Sequence, residues 1–271
     1  MAANNLKQRL ITAFALLPVV VLATWFDKPI PWLTLGGAIW GAFSLFEFFK
    51  LVKNHDQRVK PLTVAGIIWV AALIAGPHFS DYISQSVIFT VGVIASLIWY
   101  LFKQQKDAAF LSWAWTIAGV IYTGLLLSYL VSLRLLPDGA GWVFLALFAT
   151  FASDTAAFFT GSLLGRTRLA PSISPSKTWE GAFGGLVGGM AMSPLVVFLF
   201  NLPVSWPEAI IIGALISIFG QFGDLVESLF KRNMSAKDSG KTVPGHGGCL
   251  DRMDSVVFAV VVVYYYVVWL V

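Results

Sequence analysis

A polar helix face interrupts an apolar stretch of the sequence near residue 225. Asp224, Glu227, Ser228 and Lys231 stand at positions i, i+3, i+4 and i+7, which places all four on one side of a helix. Ionisable side chains in a membrane helix are costly, so they usually line a cavity or a functional site. The pattern favours a site, and a purely structural ion pair between Asp224 and a lysine is the alternative.

A loop rich in glycine, hydroxyl groups and positive charge follows at residues 237–248. Backbone N–H groups of glycine can approach phosphate oxygens closely because no side chain intervenes, so this composition predicts a phosphate-binding loop. Gly240-Lys241-Thr242 is similar to the end of a P-loop, but Ser235 occupies the position where that motif needs its first glycine. We therefore reject the P-loop interpretation.

Two carboxylates, Asp251 and Asp254, open the last apolar segment at positions i and i+3. Acidic residues in a first helical turn can simply complement the helix dipole. Here they stand beside a basic, glycine-rich loop, and Mg²⁺ binds oxygen ligands, commonly one or two carboxylates plus substrate phosphates. The combination predicts a Mg²⁺ site that also holds phosphate groups.

A second polar motif, residues 174–181, stands at the start of another apolar segment. Its Lys177 suits a phosphate, and its Glu180 suits the helix dipole or a metal ion. Asp154 lies in the middle of an apolar segment. Because burying a charged side chain among apolar residues is costly, Asp154 should face the site or a polar partner. Glu47 lies near the end of its segment, where a charged side chain can extend to the interface, so we leave it out of the predicted site.

These motifs lie among apolar segments long enough to cross a membrane. The 271 residues are 58% hydrophobic and 12% charged, which is too apolar for a water-exposed globule, and a spanning helix needs about 20 apolar residues. We predict an all-α, polytopic transmembrane helix bundle of eight or nine spans. It forms a single domain over residues 1–271, with its motifs concentrated in 172–181 and 224–255. The predicted segments are residues 10–26, 30–50, 61–80, 82–102, 108–136, 140–165, 180–202, 207–230 and 254–271.

The weakest of these segments are 61–80, which Pro77 and His78 interrupt, and the short final one. With the amino terminus inside, 16 of the 18 lysines and arginines fall on one side, and only Lys28 and Arg134 fall opposite. Such asymmetry is what the positive-inside rule expects. Splitting the long segment 108–136 into two spans would erase this charge asymmetry, so we keep that segment as one tilted helix. We expect a bacterial cytoplasmic (inner) membrane protein whose active site faces the cytoplasm.

Small residues recur every four positions in two segments and favour close helix packing, with a homodimer as a further expectation. They are Ala157, Gly161 and Gly165 in one segment, and Gly181, Gly185, Gly189 and Ser193 in the other. The one cysteine, Cys249, excludes an intrachain disulfide, and we interpret it as a small apolar filler.

The run from Ser228 to Asp254 resembles the signature of the phosphatidate cytidylyltransferase family, the CDP-diacylglycerol synthases. The matching positions are Ser228, Lys231, Arg232, Lys237, Asp238, Pro244, His246, Gly247, Gly248, Asp251, Arg252, Met253 and Asp254. Residues 174–181 are similar to the same family. The spacing of the long signature is far more specific than that of any short glycine motif.

The resemblance implies an enzyme of phospholipid biosynthesis that transfers the cytidylyl group of CTP to phosphatidic acid, giving CDP-diacylglycerol and pyrophosphate. Its expected cofactor is Mg²⁺, alone or with a second metal ion, and its expected partners are membrane lipid and the two substrates, with no nucleic acid. We expect Asp224, Asp251 and Asp254 to bind the metal. The expected catalytic residues are Lys237, Asp238, His246 and Arg252. The expected substrate-binding residues are Ser176, Lys177, Ser228, Lys231, Arg232, Lys241, Gly247 and Gly248.

Two other functions compete with this one. A membrane transporter would use Asp154 and Asp224 as an ion or proton relay, but it leaves the dense cationic loop unexplained. A CTP-dependent lipid kinase would use the same phosphate-binding residues, and its product would lack the cytidine.

Overall fold

The computed structural model describes residues 18–26, 30–103, 107–240, 242 and 247–271. Its helices confirm the predicted all-α fold, and residues 18–25 are also helical. The helix bounds are α1 Trp32–His55, α2 Thr63–Ala75, α3 Gln85–Phe102, α4 Ala109–Val120, α5 Leu126–Leu135, α6 Gly139–Leu164, α7 Trp179–Phe200, α8 Trp206–Asn233 and α9 Asp254–Leu270.

Within the described ranges, six helices are long and apolar enough to cross a membrane, judged by length and composition. They are α1, α3, the continuous helix Ala109–Leu135, α6, α7 and α8. The apolar helices Thr63–Phe79 and Asp254–Leu270 are shorter, as expected for the two weakest predicted segments. Residues 10–17 of the predicted segment 10–26 lie outside the described residues.

The predicted long segment 108–136 is one helix, Ala109–Leu135, but it is not regular throughout. Between α4 and α5, residues Ile121–Leu125 form a π-helical turn. Gly124 of this turn packs against α2, where an added Cβ would lie 2.9 Å from a Val70 methyl group. The sequence pattern did not predict this widened turn, because five residues are too few to show a period different from that of an α-helix.

A small antiparallel sheet precedes α7 and was not predicted. Strand β1 is Arg168–Ala170 and strand β2 is Ser174–Thr178, paired with Arg168 opposite Thr178 and Ala170 opposite Ser174. The hydroxyl of Thr178 then accepts a hydrogen bond from the backbone N–H of Gly181 at 3.1 Å, which caps the start of α7. The predicted polar motif at a helix start is therefore a strand followed by a helix cap.

Packing divides the chain into two compact units. The first unit comprises Met1–Val131 and Asn233–Arg252, and the second comprises Ser132–Arg232 and Met253–Val271. The single domain stays a prediction.

In the first unit, α1 packs against α2 and α4 through two glycines. Leu45 and Phe49 of α1 are fully buried. An added Cβ at Gly66 of α2 or at Gly119 of α4 would lie within 3.2 Å of both side chains. The absence of side chains at these glycines allows the helices to approach closely.

In the second unit, the two predicted small-residue stripes pack against each other. An added Cβ at Gly181 of α7 would lie 2.9 Å from the carbonyl oxygen of Ala157 and 3.1 Å from the Cα of Gly161, both on α6. The predicted packing role is confirmed. Because these faces are occupied within the chain, the stripes no longer support a homodimer, which stays a prediction.

Candidate active site

An ion pair joins two of the predicted site residues in the second unit. Lys177, on β2, places its Nζ atom 2.7 Å from Oδ2 of Asp224 on α8. The Ser228 hydroxyl, one turn further along α8, donates a hydrogen bond to Oδ1 of Asp224 at 3.3 Å. Both oxygens of Asp224 therefore have protein partners. The hairpin places Lys177 beside α8, so strand β2 is what brings the two predicted motifs together.

Two further carboxylates belong to this cluster. Asp154, midway along α6, interacts electrostatically with Asp254, Asp224 and Lys177, and its carboxylate is hydrogen-bonded to Ser255. Asp254 is the first residue of α9. An added Cβ at Gly223 would overlap the carbonyl oxygen of Asp254, so the start of α9 lies directly against α8. The prediction that Asp154 faces polar partners is confirmed.

Glu227 is a member of the cluster that the predicted site omitted. Its side chain is only 1% exposed, and its Oε1 lies 3.0 Å from Nζ of Lys231 one helical turn later. Its carboxyl group is also hydrogen-bonded to that of Asp254. The signal was present in the sequence, since Glu227 shares the polar face of α8 with Asp224. Lys231, predicted to bind substrate, has a buried carboxylate partner.

The remaining predicted substrate-binding residues of this unit lie around the hairpin. Arg232 is exposed, and its Nε donates a hydrogen bond to the carbonyl oxygen of Ile173 at 3.1 Å. Ser176 is exposed on β2, next to the partly buried Lys177. The guanidinium of Arg232 therefore ties the end of α8 to the turn between the two strands.

The charges of this cluster fit a divalent cation. Asp154, Asp224, Glu227 and Asp254 interact with one another or with two lysines, Lys177 and Lys231. When all four carboxyl groups are ionised, negative charge is in excess, and in surroundings of low dielectric this excess must be compensated by protons or by a cation. Among the residues that the structure describes, no three His, Cys, Asp or Glu side chains are arranged to hold a metal. Mg²⁺ commonly needs only one or two carboxylates, with water and phosphate as its other ligands.

In the first unit, Asp251 holds the glycine-rich loop through backbone N–H groups. Its side chain accepts hydrogen bonds from the Ser239 N–H at 3.0 Å and from the Gly248 N–H at 2.8 Å. Gly247 has a φ of +89°, which glycine adopts without strain. An added Cβ there would lie 2.6 Å from Oδ2 of Asp251. Gly247 and Gly248 therefore allow the Asp251 carboxylate to approach the backbone, whereas the sequence predicted that they allow a phosphate to approach it.

Glu47 corrects the expectation that this residue extends to the interface. Its side chain is 3% exposed, and its carboxylate accepts hydrogen bonds from the hydroxyls of Ser239 and Thr242 and from the Leu250 N–H. The Leu250 bond is 3.0 Å long. The sequence signal was a lone acidic residue in α1. Its partners lie about 200 positions later, so no local pattern could identify them.

The other predicted residues of this loop are exposed or undescribed. Lys237, Asp238 and Arg252 are exposed, while Lys241 and His246 lie outside the described residues. Burial, together with the nearby Glu47 carboxylate, raises the pKa of the Cys249 thiol to about 11. This agrees with its interpretation as an apolar filler. Asp224 and Asp251 belong to different units, so a metal ion shared by them stays a prediction.

Comparison with known proteins accounts for nearly the whole chain. A family model described as "Cytidylyltransferase family" matches residues 7–270. A phosphatidate cytidylyltransferase of Bacillus subtilis is 32% identical over 264 residues, covering 96% of this chain and 97% of that protein. Proteins of the same name are 34% identical in Staphylococcus saprophyticus, covering 84% of this chain and 90% of the relative, and 33% identical in Brucella suis, covering 96% and 93%. The chain therefore belongs to the cytidylyltransferase family.

Proposed function

We propose that this membrane enzyme transfers the cytidylyl group of CTP to phosphatidic acid, giving CDP-diacylglycerol and pyrophosphate. The observation that carries the proposal is the extent of the family match, which spans residues 7–270 and so includes both polar motifs. The name shared by the relatives supplies the acceptor, phosphatidate.

The chemistry is a displacement at phosphorus and requires no protein nucleophile. A phosphate oxygen of phosphatidic acid attacks the α-phosphorus of CTP in line, and the bond to the β-phosphate oxygen breaks, releasing pyrophosphate. Positive charge near the transferring group and the leaving pyrophosphate lowers the barrier, because negative charge builds up there in the transition state. Lys177 lies beside Asp224 at 2.7 Å, so substrate phosphate can compete with that carboxylate for its ammonium group.

The protein groups of this reaction fall into three sets. Asp224, Asp251 and Asp254 are the carboxylates for Mg²⁺, alone or with a second metal ion. When bound, the metal neutralises charge on the phosphates. The groups nearest the reacting phosphates are Lys237, Asp238, His246 and Arg252. The groups that hold the substrates are Ser176, Lys177, Ser228, Lys231, Arg232, Lys241, Gly247 and Gly248.

The setting of the enzyme is the bacterial cytoplasmic membrane, with the active site on the cytoplasmic face. The long apolar helices support an integral membrane protein, and the distribution of lysine and arginine along the sequence supports the orientation. A lipid head group must meet a soluble nucleotide, so the site must be open to both water and the bilayer. No observation on the described residues favours the transporter or the lipid kinase.

The product of the purified protein tests this function. CTP carrying distinguishable labels in the cytidine and in the α- and γ-phosphates is supplied with phosphatidic acid in mixed micelles. Cytidylyl transfer predicts that the cytidine and α-phosphate labels enter the lipid, while the γ-phosphate label leaves as pyrophosphate. A lipid that carries the γ-phosphate label without cytidine would identify a kinase. Solute counter-flow in proteoliposomes without nucleotide, with no labelled lipid, would identify a transporter.

A further inference from the structure

One face of α1 contacts the polypeptide on both sides of the glycine-rich loop. Trp40 and Glu47 stand seven residues apart, which places them on the same side of the helix. The indole N–H of Trp40 donates a hydrogen bond to the carbonyl oxygen of Cys249 at 3.0 Å. Glu47 accepts hydrogen bonds from Ser239 and Thr242 in the first half of the loop and from Leu250 just after the loop. Helix α1 therefore fixes both ends of the loop.

The burial of Glu47 makes these hydrogen bonds indispensable. A carboxylate that is 3% exposed requires several donors, because removal of its water is costly. The surrounding backbone is shaped to admit it. An added Cβ at Gly240 or at Gly248 would overlap the Glu47 carboxylate, so neither residue can carry a side chain without displacing it.

Ser239 links Glu47 to the predicted metal ligand Asp251. The Ser239 hydroxyl donates to Oε2 of Glu47 at 3.1 Å, while its backbone N–H donates to Oδ2 of Asp251 at 3.0 Å. The same Glu47 oxygen accepts from the N–H of Leu250, the neighbour of Asp251 in sequence. A change at Glu47 therefore affects Asp251 through two connections, one by way of Ser239 and one by way of Leu250.

We propose that Glu47 is a positioning residue for the cytidylyl transfer. Its carboxylate holds residues Ser239, Thr242 and Leu250 so that Asp251 and the N–H of Gly248 keep the arrangement that the reaction needs. This inference rests on the proposed function. It assigns Glu47 no contact with substrate or metal, because the Glu47 oxygens are occupied by donors of the loop.

Glu47→Gln separates positioning from direct catalysis. Glutamine can place its oxygen where Oε2 accepts from Ser239 and Leu250, and its NH₂ group can donate to the Thr242 hydroxyl, which is donor or acceptor as required. The variant keeps the hydrogen bonds and loses the charge. A carboxylate that bound a metal or acted as a base would not survive this change, whereas a positioning group would.

The test compares Glu47→Gln and Glu47→Ala with Leu45→Ala, a change at a fully buried residue of the same helix that has no polar contact with the loop. Amide hydrogen exchange of residues 236–250 is measured in detergent without substrate, beside kcat and KM for CTP.

We expect Glu47→Ala to speed exchange in that segment about tenfold or more, since the loop loses its attachment. Its kcat/KM should fall about 100-fold. Glu47→Gln should keep both quantities within about threefold of the wild type. Leu45→Ala should lower thermal stability and leave the exchange of residues 236–250 and the KM for CTP unchanged.

Two results would overturn the proposal. The first is amide exchange in Glu47→Ala that is unchanged from the wild type. The second is a Glu47→Gln variant whose exchange is normal but whose activity falls as far as that of Glu47→Ala. That second result would make Glu47 a catalytic residue. Should Glu47→Ala not fold, Ser239→Ala removes the bridging hydroxyl and should also speed exchange in the segment. A wild type that makes no labelled lipid would refute the proposed function, whereas the exchange data would still decide whether Glu47 holds the loop.

Discussion

Burial determines which charged residues of this chain need fixed partners. Glu47 and Glu227 are 3% and 1% exposed, and each is held by groups of its own unit. The sequence places Glu227 on the polar face of α8, because its partner Lys231 is one turn away. The predicted site omits Glu47, because its hydrogen bonds to a loop about 200 residues later leave no local pattern. Spacing along one helix is readable from sequence, whereas tertiary partners are not.

Cys249 offers a test of burial at the same scale. Its thiol, with a pKa raised to about 11, has less thiolate at any given pH than an ordinary thiol, whose pKa is about 8.5. The rate of maleimide labelling of the folded protein should therefore be low at pH 8 and should keep rising above pH 9. The labelling rate of the denatured protein should level off in that range. Mass spectrometry of the single adduct measures the rate. Rapid, complete labelling of the folded protein at pH 7 would show that the thiol is neither buried nor raised in pKa.

At the scale of elements, long apolar runs were predictable and short irregular structures were not. The predicted segments 108–136 and 254–271 correspond to Ala109–Leu135 and Asp254–Leu270, because a run of apolar residues ends where polar residues begin. The hairpin of β1 and β2 has only three and five residues per strand. Such strands carry too few residues for a readable alternation. Yet this hairpin is what brings Lys177 to Asp224.

The contact between α8 and α9 gives a prediction for the cluster. Gly223→Ala would force the start of α9 away from α8, since its Cβ overlaps the Asp254 carbonyl oxygen, at a cost of about 1–3 kcal/mol. We expect a lower thermal midpoint and a loss of cytidylyl transfer of about tenfold or more, because Asp254 moves relative to Asp224.

Gly36→Ala is the matched control for this change. Gly36 lies in helix α1 with nothing within 4 Å of an added Cβ, so alanine there should stabilise the helix by roughly 0.5–1 kcal/mol and leave activity unchanged. Equal thermal midpoints and equal activities in the two variants would contradict the close packing of α8 against α9.

At the scale of the whole molecule, the predicted site draws residues from both compact units. The Lys177–Asp224 ion pair with Asp154, Glu227 and Asp254 lies in the unit Ser132–Arg232 and Met253–Val271, whereas Asp251 lies in the other unit. The family signature contains residues of both, which is the reason to propose that they serve one reaction. Motif spacing could nominate candidate members of the site, because the family signature gives their positions in the sequence. It could not predict that Asp251 is engaged by backbone N–H groups of its own loop.

A double-mutant cycle on Asp224 and Asp251 tests the proposal that the two carboxylates serve one reaction. The measured quantity is Mg²⁺-dependent incorporation of α-labelled CTP into lipid by Asp224→Asn, Asp251→Asn and the double variant, with the exposed Asp138→Asn as control. If both carboxylates serve one metal-dependent step, each single change lowers turnover about 100-fold or more and the double change costs little beyond that, because residues that act as a unit are not additive. Near-normal turnover in either single variant, or full additivity in the double variant, would contradict the account.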